Sequence, residues 1–205
     1  MGAGAGLTRD LAGNFYGTSA GGGASNCGSG YSCGTIFKID AKGNETILHS
    51  FAGGSDGDNP QAALIRDEEG NLYGTTSAGG TVGFGTVFKL NPSNVLTVLH
   101  SFAGTDGANP SAALVRDSAG NLYGTTYDGG DSSCGYLGSG CGAVFRLDPN
   151  GNYSLLHTFT GNSEGAFSTG SLLLDAEGNL YGVASDSGYL TRGVHNSVLF
   201  QISPE

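Results

Sequence analysis

The stretch "GNLYGTT", Gly70 to Thr76, recurs letter for letter from Gly120 to Thr126, and looser copies stand at "GNFYGTS" (Gly13 to Ser19) and "GNLYGVA" (Gly178 to Ala184). A catalytic motif needs one copy, so four copies in 205 residues point first to architecture. The asparagine of the phrase serves as a ruler: Asn14, Asn71, Asn121 and Asn179 are 57, 50 and 58 residues apart. Such a period is long for a helical solenoid and suits a four-stranded propeller blade.

Four strand-like runs fill each period. In the second unit they are "AALIRD", "NLYGTT", "GTVFKL" and "LTVLHSF", called strands A, B, C and D below. Each is short, rich in β-branched or aromatic residues, and bounded by Gly, Asn, Asp or Pro. No stretch of ten or more residues keeps a helical period. The expected fold is all-β and β-propeller-like, a single repeat domain over 1–205 with units of about 6–62, 63–112, 113–170 and 171–205. The last unit supplies A ("LLLD"), B and C ("SVLFQI") but no "TVLHSF" strand, so about fifteen antiparallel strands are predicted, with an open outer edge on the fourth blade. Gly74, inside strand B, is expected to leave room for close approach of sheets or to mark a bulge.

Turn chemistry separates two rims. A meets B through "DEEGN", "DSAGN" or "DAEGN", and C meets D through "DAKGN", "NPSNV" or "DPNGN". These are tight hairpin connections. B meets C, and D meets the next A, through longer segments, which alternation of strand direction puts on the other rim. From the strand-C apolar residue to the next ruler asparagine the spans are 35, 34 and 35; from the asparagine to that residue they are 22, 16, 23 and 19. Length variation therefore sits in the B–C loops, where binding function is expected on a rigid scaffold.

Composition narrows the partners. Glycine, at 39 residues, reads as turn chemistry; the glycines keep no every-third spacing and charged residues are only 13%, which excludes collagen and disfavours disorder. Eight Lys and Arg against 18 Asp and Glu give a net charge of −10, unsuited to nucleic acid or to anionic lipid. No apolar run approaches the ~20 residues of a membrane helix, so no membrane insertion is expected. The start "MGAGAGLTRD" lacks a charged segment followed by an apolar one and reads as carrying no signal peptide.

The runs "GTVFKL", "LTVLHSFAGTDGANPSAAL" and "GNLYGTTYDGG" together resemble the GloVer tandem repeat of bacterial choice-of-anchor proteins, from about Leu7 to Ser203. The resemblance implies a propeller-like protein that is secreted or displayed on the cell surface, often through a separate C-terminal anchor. It brings no established chemical activity. Against the full pattern the sequence reads as departing at both ends, with neither leader nor anchor expected in it.

Cys27 with Cys33, and Cys134 with Cys141, fall inside the two long B–C loops, and the units without the insertion have no cysteine. A disulfide closing each loop fits an oxidising compartment. The rival is zinc, whose paired ligands usually enclose about two to four residues. Here five and six intervene, with no histidine nearby in sequence. His49, His100 and His157 share one strand-D position in three blades, so packing or hydrogen bonding is expected of them; His195 lies in the fourth B–C loop. Asp56, Asp58 and Asp106, with Asn59, can offer oxygen ligands to calcium, although Asp and Asn beside Gly are also ordinary turn formers. No catalytic residue or further cofactor is read from the sequence.

The leading expectation is a non-enzymatic module that binds an extracellular glycan, peptide or protein through its loop face. Tyr31, Phe84, Tyr127, Tyr136 and Tyr189 are its aromatic contacts and Asp128 and Asp131 its polar ones, with Asp56 and Asp106 beside them. Two alternatives are a structural protein that self-associates through the open blade edge and a propeller hydrolase or lyase acting on extracellular polymers.

Overall fold

The computed structural model describes residues 6–23, 32–134, 138–161, 164–185 and 197–203, and no α-helix occurs among them. Among these residues fifteen strands form four separate antiparallel sheets in chain order. The first holds β1 (Thr8–Arg9), β2 (Phe15–Ser19), β3 (Thr35–Ile39) and β4 (Glu45–Ser50). The second holds β5 (Ile65–Arg66), β6 (Leu72–Thr76), β7 (Thr86–Leu90) and β8 (Leu96–Ser101). The third holds β9 (Val115–Arg116), β10 (Leu122–Thr126), β11 (Ala143–Leu147) and β12 (Tyr153–Thr158). The fourth holds β13 (Leu173–Leu174), β14 (Leu180–Ser185) and β15 (Ser197–Ile202), and lacks an outer strand among the described residues. The chain divides into two compact units, Met1–Ser101 and Phe102–Glu205.

The repeated phrase works as a clasp on the A–B turn. Asp67 Oδ1 accepts from Asn71 N at 2.7 Å, and Oδ2 accepts from Asn71 Nδ2 at 2.7 Å and from the Tyr73 hydroxyl at 2.9 Å. Asp10, Asn14 and Tyr16 make the same three bonds, as do Asp117, Asn121 and Tyr123, and Asp175, Asn179 and Tyr181. Gly70 supplies the positive φ of +87° that lets its N–H return to Asp67 O. The C–D turns reuse the Asp–Asn half of the device at Asp40–Asn44 and Asp148–Asn152, without a tyrosine. In "NPSNV" the positive φ falls on Asn94, at 61°, one of the few side chains that tolerates it.

Gly74 serves neither sheet-to-sheet approach nor a bulge. It pairs with Phe88 of β7, whose ring lies across it: a Cβ at Gly74 stands 2.7 Å from Phe88 Cζ and 2.8 Å from Leu64 Cδ2. Gly124 with Phe145, and Gly182 with Phe200, repeat this contact. An aromatic ring laid over a strand glycine restores the packing that the missing side chain forfeits. The register shift comes elsewhere, between Val87 and Phe88 against β8, with counterparts in the first and third sheets.

Strand A is shorter than "AALIRD" suggests. Ala62 and Leu64 are buried, but their carbonyls accept the hydroxyls of Thr18 and Thr8 from the first sheet, and the ladder to β6 begins only at Ile65. Beyond strand D a phenylalanine enters the core of each unit. Phe51 meets Phe88 at 5.3 Å and Phe159 meets Phe200 at 5.1 Å, both edge to face. Phe102 meets Phe145 in the same way at 5.3 Å. Phe51, Phe88, Phe102, Phe145 and Phe159 are fully buried, each contributing roughly 2–3 kcal/mol of apolar transfer before entropy is counted.

Candidate ligand-binding rim

The D–A and B–C loops are joined on one rim by short two-way bridges. Asp58 and Ala78 exchange backbone bonds at 2.8 and 3.0 Å, Ala108 and Asp128 at 2.8 and 3.1 Å, and Ala166 and Ser185 at 2.6 and 2.7 Å. Threonines at the end of strand B pin the loop root: Thr76 Oγ1 lies 2.8 Å from Thr86 Oγ1, and Thr126 Oγ1 accepts from Ala143 N at 3.0 Å. The two cysteine loops occupy equivalent places, since Cys33 O accepts from Asn59 N and Cys141 O from Phe167 N.

Cys134 and Cys141 form a disulfide, with Cα atoms 5.5 Å apart, and Cys33 is disulfide-bonded as well. Cys134 N donates to Asp131 O at the entry to the closed loop, and Gly140 N donates to Cys134 O within it. Hydrogen bonds from the Ser133 backbone and side chain hold the Asp131 carboxyl below the usual carboxylate range. Cys27, Tyr31, Tyr136, Tyr189 and His195 lie outside the described residues. Phe84 and Tyr127 stand on the rim with 41% and 39% of their surface exposed.

The aspartates proposed for calcium have local partners. Asp56 Oδ2 lies 3.2 Å from His49 Nε2 and accepts from Ala52 N at 3.1 Å, and Asp106 Oδ1 accepts from Ala103 N at 2.8 Å. Burial pushes the Asp58 carboxyl up. Among the described residues, no three His, Cys, Asp or Glu side chains gather as a metal site. His157 repeats the arrangement of His49, with Nε2 3.4 Å from Glu164 Oε2. Both rings also stand edge-on to a buried phenylalanine, His49 to Phe51 at 4.9 Å and His157 to Phe159 at 5.0 Å. Strand-D histidine thus ties the scaffold to the loop rim.

One rim residue escaped the sequence reading. Each D–A loop carries a left-handed residue at the same place: Asn59 at φ 59°, Asn109 at 54° and Phe167 at 51°. Asparagine accepts this conformation, and its amide reaches the adjoining loop, Asn59 to Ser77 Oγ at 2.9 Å and Asn109 to Asp128 Oδ2 at 2.8 Å. Phenylalanine does not accept it readily. Its ring lies instead beside Tyr127, centroids 5.1 Å apart and planes tilted by 33°. The signal was present in the change from "GDNP" and "GANP" to "GAFS", but only the backbone angle shows why it matters.

Tyr127 and Phe167 therefore form an aromatic surface beside a disulfide-closed loop, with the Asp128 carboxylate next in sequence to Tyr127. Rings of this kind take the C–H face of a ligand while neighbouring polar groups bond its edge.

Three solved structures share the fold at low identity. A polysaccharide lyase, an ulvan lyase, superposes with a TM-score of 0.59 at 15% identity over 95% of this chain and 54% of its own. A gluconolactonase from Xanthomonas campestris gives 0.55 at 15% over 97% and 56%, and a luciferin-regenerating enzyme gives 0.53 at 15% over 97% and 60%. The chain thus spans between 54% and 60% of the length of these proteins and shares their propeller-like fold. No curated protein matches it in sequence. The Gloeobacter/Verrucomicrobia repeat matches residues 3–205, four sheets built on one phrase, and the chain belongs to that family.

Proposed function

We propose that this protein is a non-enzymatic, secreted or surface-displayed module that binds glycan through the rim of its B–C and D–A loops. The observation that carries the reading is the Tyr127–Phe167 pair. Phe167 holds a backbone conformation costly for its side chain, and the ring it presents adds to an exposed tyrosine. Strain kept at a surface site points to use of that site. Asp128 and Asp131 offer acceptors to sugar hydroxyls, and disulfide closure holds the loop in place before binding, which lowers the entropy cost of association. The disulfide also supports an oxidising location. A glycan array followed by calorimetry tests the reading: Tyr127→Ala should weaken the best glycan about tenfold or more. Retained affinity in that variant sinks it.

A second reading has its own observation. Among the described residues β15 pairs only with β14, and Leu199 on it is 73% exposed. An unpaired strand edge recruits another strand, so self-association is the alternative. Light scattering coupled to size exclusion separates the two, because a monomer across the concentration range removes assembly. Catalysis on lactones or polysaccharides is supported only by a likeness of fold, which does not carry function.

A further inference from the structure

Six of the eight Lys and Arg residues occupy two repeated positions. Arg9, Arg66 and Arg116 precede the clasp aspartate in strand A; Lys38, Lys89 and Arg146 stand in strand C opposite the clasp tyrosine. Several of these cations are engaged within their own sheet. Lys89 Nζ sits 5.7 Å over the Tyr73 ring, Arg146 donates to Asn121 Oδ1 at 3.0 Å, and Arg9 lies 5.7 Å over Phe15. Lys38 and Arg66 differ. They come from the first and second sheets and line one cavity of about 380 Å³ between them, near the tight turns and away from the loop rim. Neither forms an ion pair among the described residues, and the hydrogen bond that Arg66 donates to Asp67 O is a long one, 3.4 Å.

The remaining lining has two characters. Leu48 and Pro92 give apolar surface, while Thr46 and Asn94 add hydroxyl and amide groups. Glu69 is the acid of the lining. In a chain of net charge −10, two cations against the single acid Glu69 leave this lining with a positive balance. Cavities of this size admit a small polyhydroxylated molecule. The positions are not kept throughout: in the third and fourth sheets, Arg146 holds the strand-C place, but Leu174 replaces the strand-A arginine.

We infer that the cleft between the first two sheets binds a sugar carrying an oxyanion, a carboxylate or a sulfate ester. Lys38 and Arg66 take the charged group, and the leucine and proline surface takes the ring. The site is separate from the loop rim, so it stands or falls apart from the glycan-binding reading.

NMR titration of the full chain with D-glucuronate, D-glucose 6-sulfate and D-glucose tests this. One or both anionic sugars should shift the resonances of cleft residues with saturation, and glucose should not. Saturation by only one of them identifies the oxyanion. Arg66→Leu, which copies the fourth sheet, and Lys38→Gln should each weaken the anionic sugar about tenfold or more, whereas Arg66→Lys should restore part of the loss. Lys42→Gln, a change outside the cavity lining, should leave affinity unchanged. Three results overturn the proposal: no saturable shift with either anion, equal binding of glucose, or affinity indifferent to Lys38 and Arg66. Unaltered amide spectra of the free variants show that a lost affinity is not lost folding.

Discussion

The two rims of these sheets follow opposite rules. At the turn rim the same aspartate, asparagine and tyrosine make the same three bonds four times, at 2.6 to 3.1 Å. At the loop rim one backbone position meets three different partners: Asn59 reaches Ser77, Asn109 reaches Asp128, and Phe167 lies beside Tyr127. Repetition marks the side that must close a hairpin identically in every sheet. Divergence marks the side where the hairpin is already fixed and side chains are free to vary.

The largest expected effect tests the scaffold that joins the rims. Phe145 is fully buried, lies over Gly124, and packs on Phe102 and Tyr153. Phe145→Ala should cost about 3–5 kcal/mol in denaturant unfolding, while Phe84→Ala on the loop rim should cost under about 1 kcal/mol. Comparable losses at both sites would break the division between scaffold and display surface.

Much of this division was legible in the sequence. Period, strand count and the two classes of connection all follow from phrases whose local chemistry agrees with the fold. The fifteen strands and the missing place in the fourth sheet came from counting those phrases. Contacts that depend on register did not come through. Nothing in "GNLYG" says that its tyrosine reaches back six residues to Asp67, because that reach depends on hairpin geometry. Nor does "LYG" say that the glycine accommodates a ring from the next strand, which requires pairing Gly74 with Phe88. Lys38 and Arg66 lie 28 positions apart and meet one cavity only because consecutive sheets stand side by side in the first unit.

A smaller effect belongs to the turn rim. Asp67→Ala removes the acceptor of three bonds and strands the amide of Asn71 and the hydroxyl of Tyr73, so about 2 kcal/mol should be lost. Asp148→Ala, at an exposed C–D turn with no tyrosine, should lose less. The clasps also set the response to acid. Bonds from the Asn14 side chain lead in holding the Asp10 carboxyl down at about 2, and similar bonds outweigh burial at Asp67 and Asp117. Each carboxyl is more acidic folded than unfolded, so the unfolded chain binds protons first. The contribution is complete above about pH 4 and falls away toward about pH 2. Melting temperature should be level above that window and drop within it. Asp67→Asn should show a shallower drop, and an unchanged slope would mean that the clasps carry no proton linkage.

The smallest expected change in stability has the opposite sign and bears most directly on the loop rim. Phe167→Asn places at φ 51° the residue type found at the two equivalent positions. The left-handed conformation then costs the side chain less, and stability should rise by about 1 kcal/mol, offset in part by burial lost where the ring packs against the core of the second unit. The same change removes half of the aromatic surface beside Tyr127, so glycan affinity should fall as stability rises. Asn109→Phe in the preceding D–A loop runs the exchange backwards: it puts a phenylalanine at φ 54° and removes the amide bond to Asp128, so it should destabilise. A Phe167→Asn variant that is less stable and binds as well as before would show that the ring is there to fill the core, and that divergence at this rim is tolerance of change rather than display.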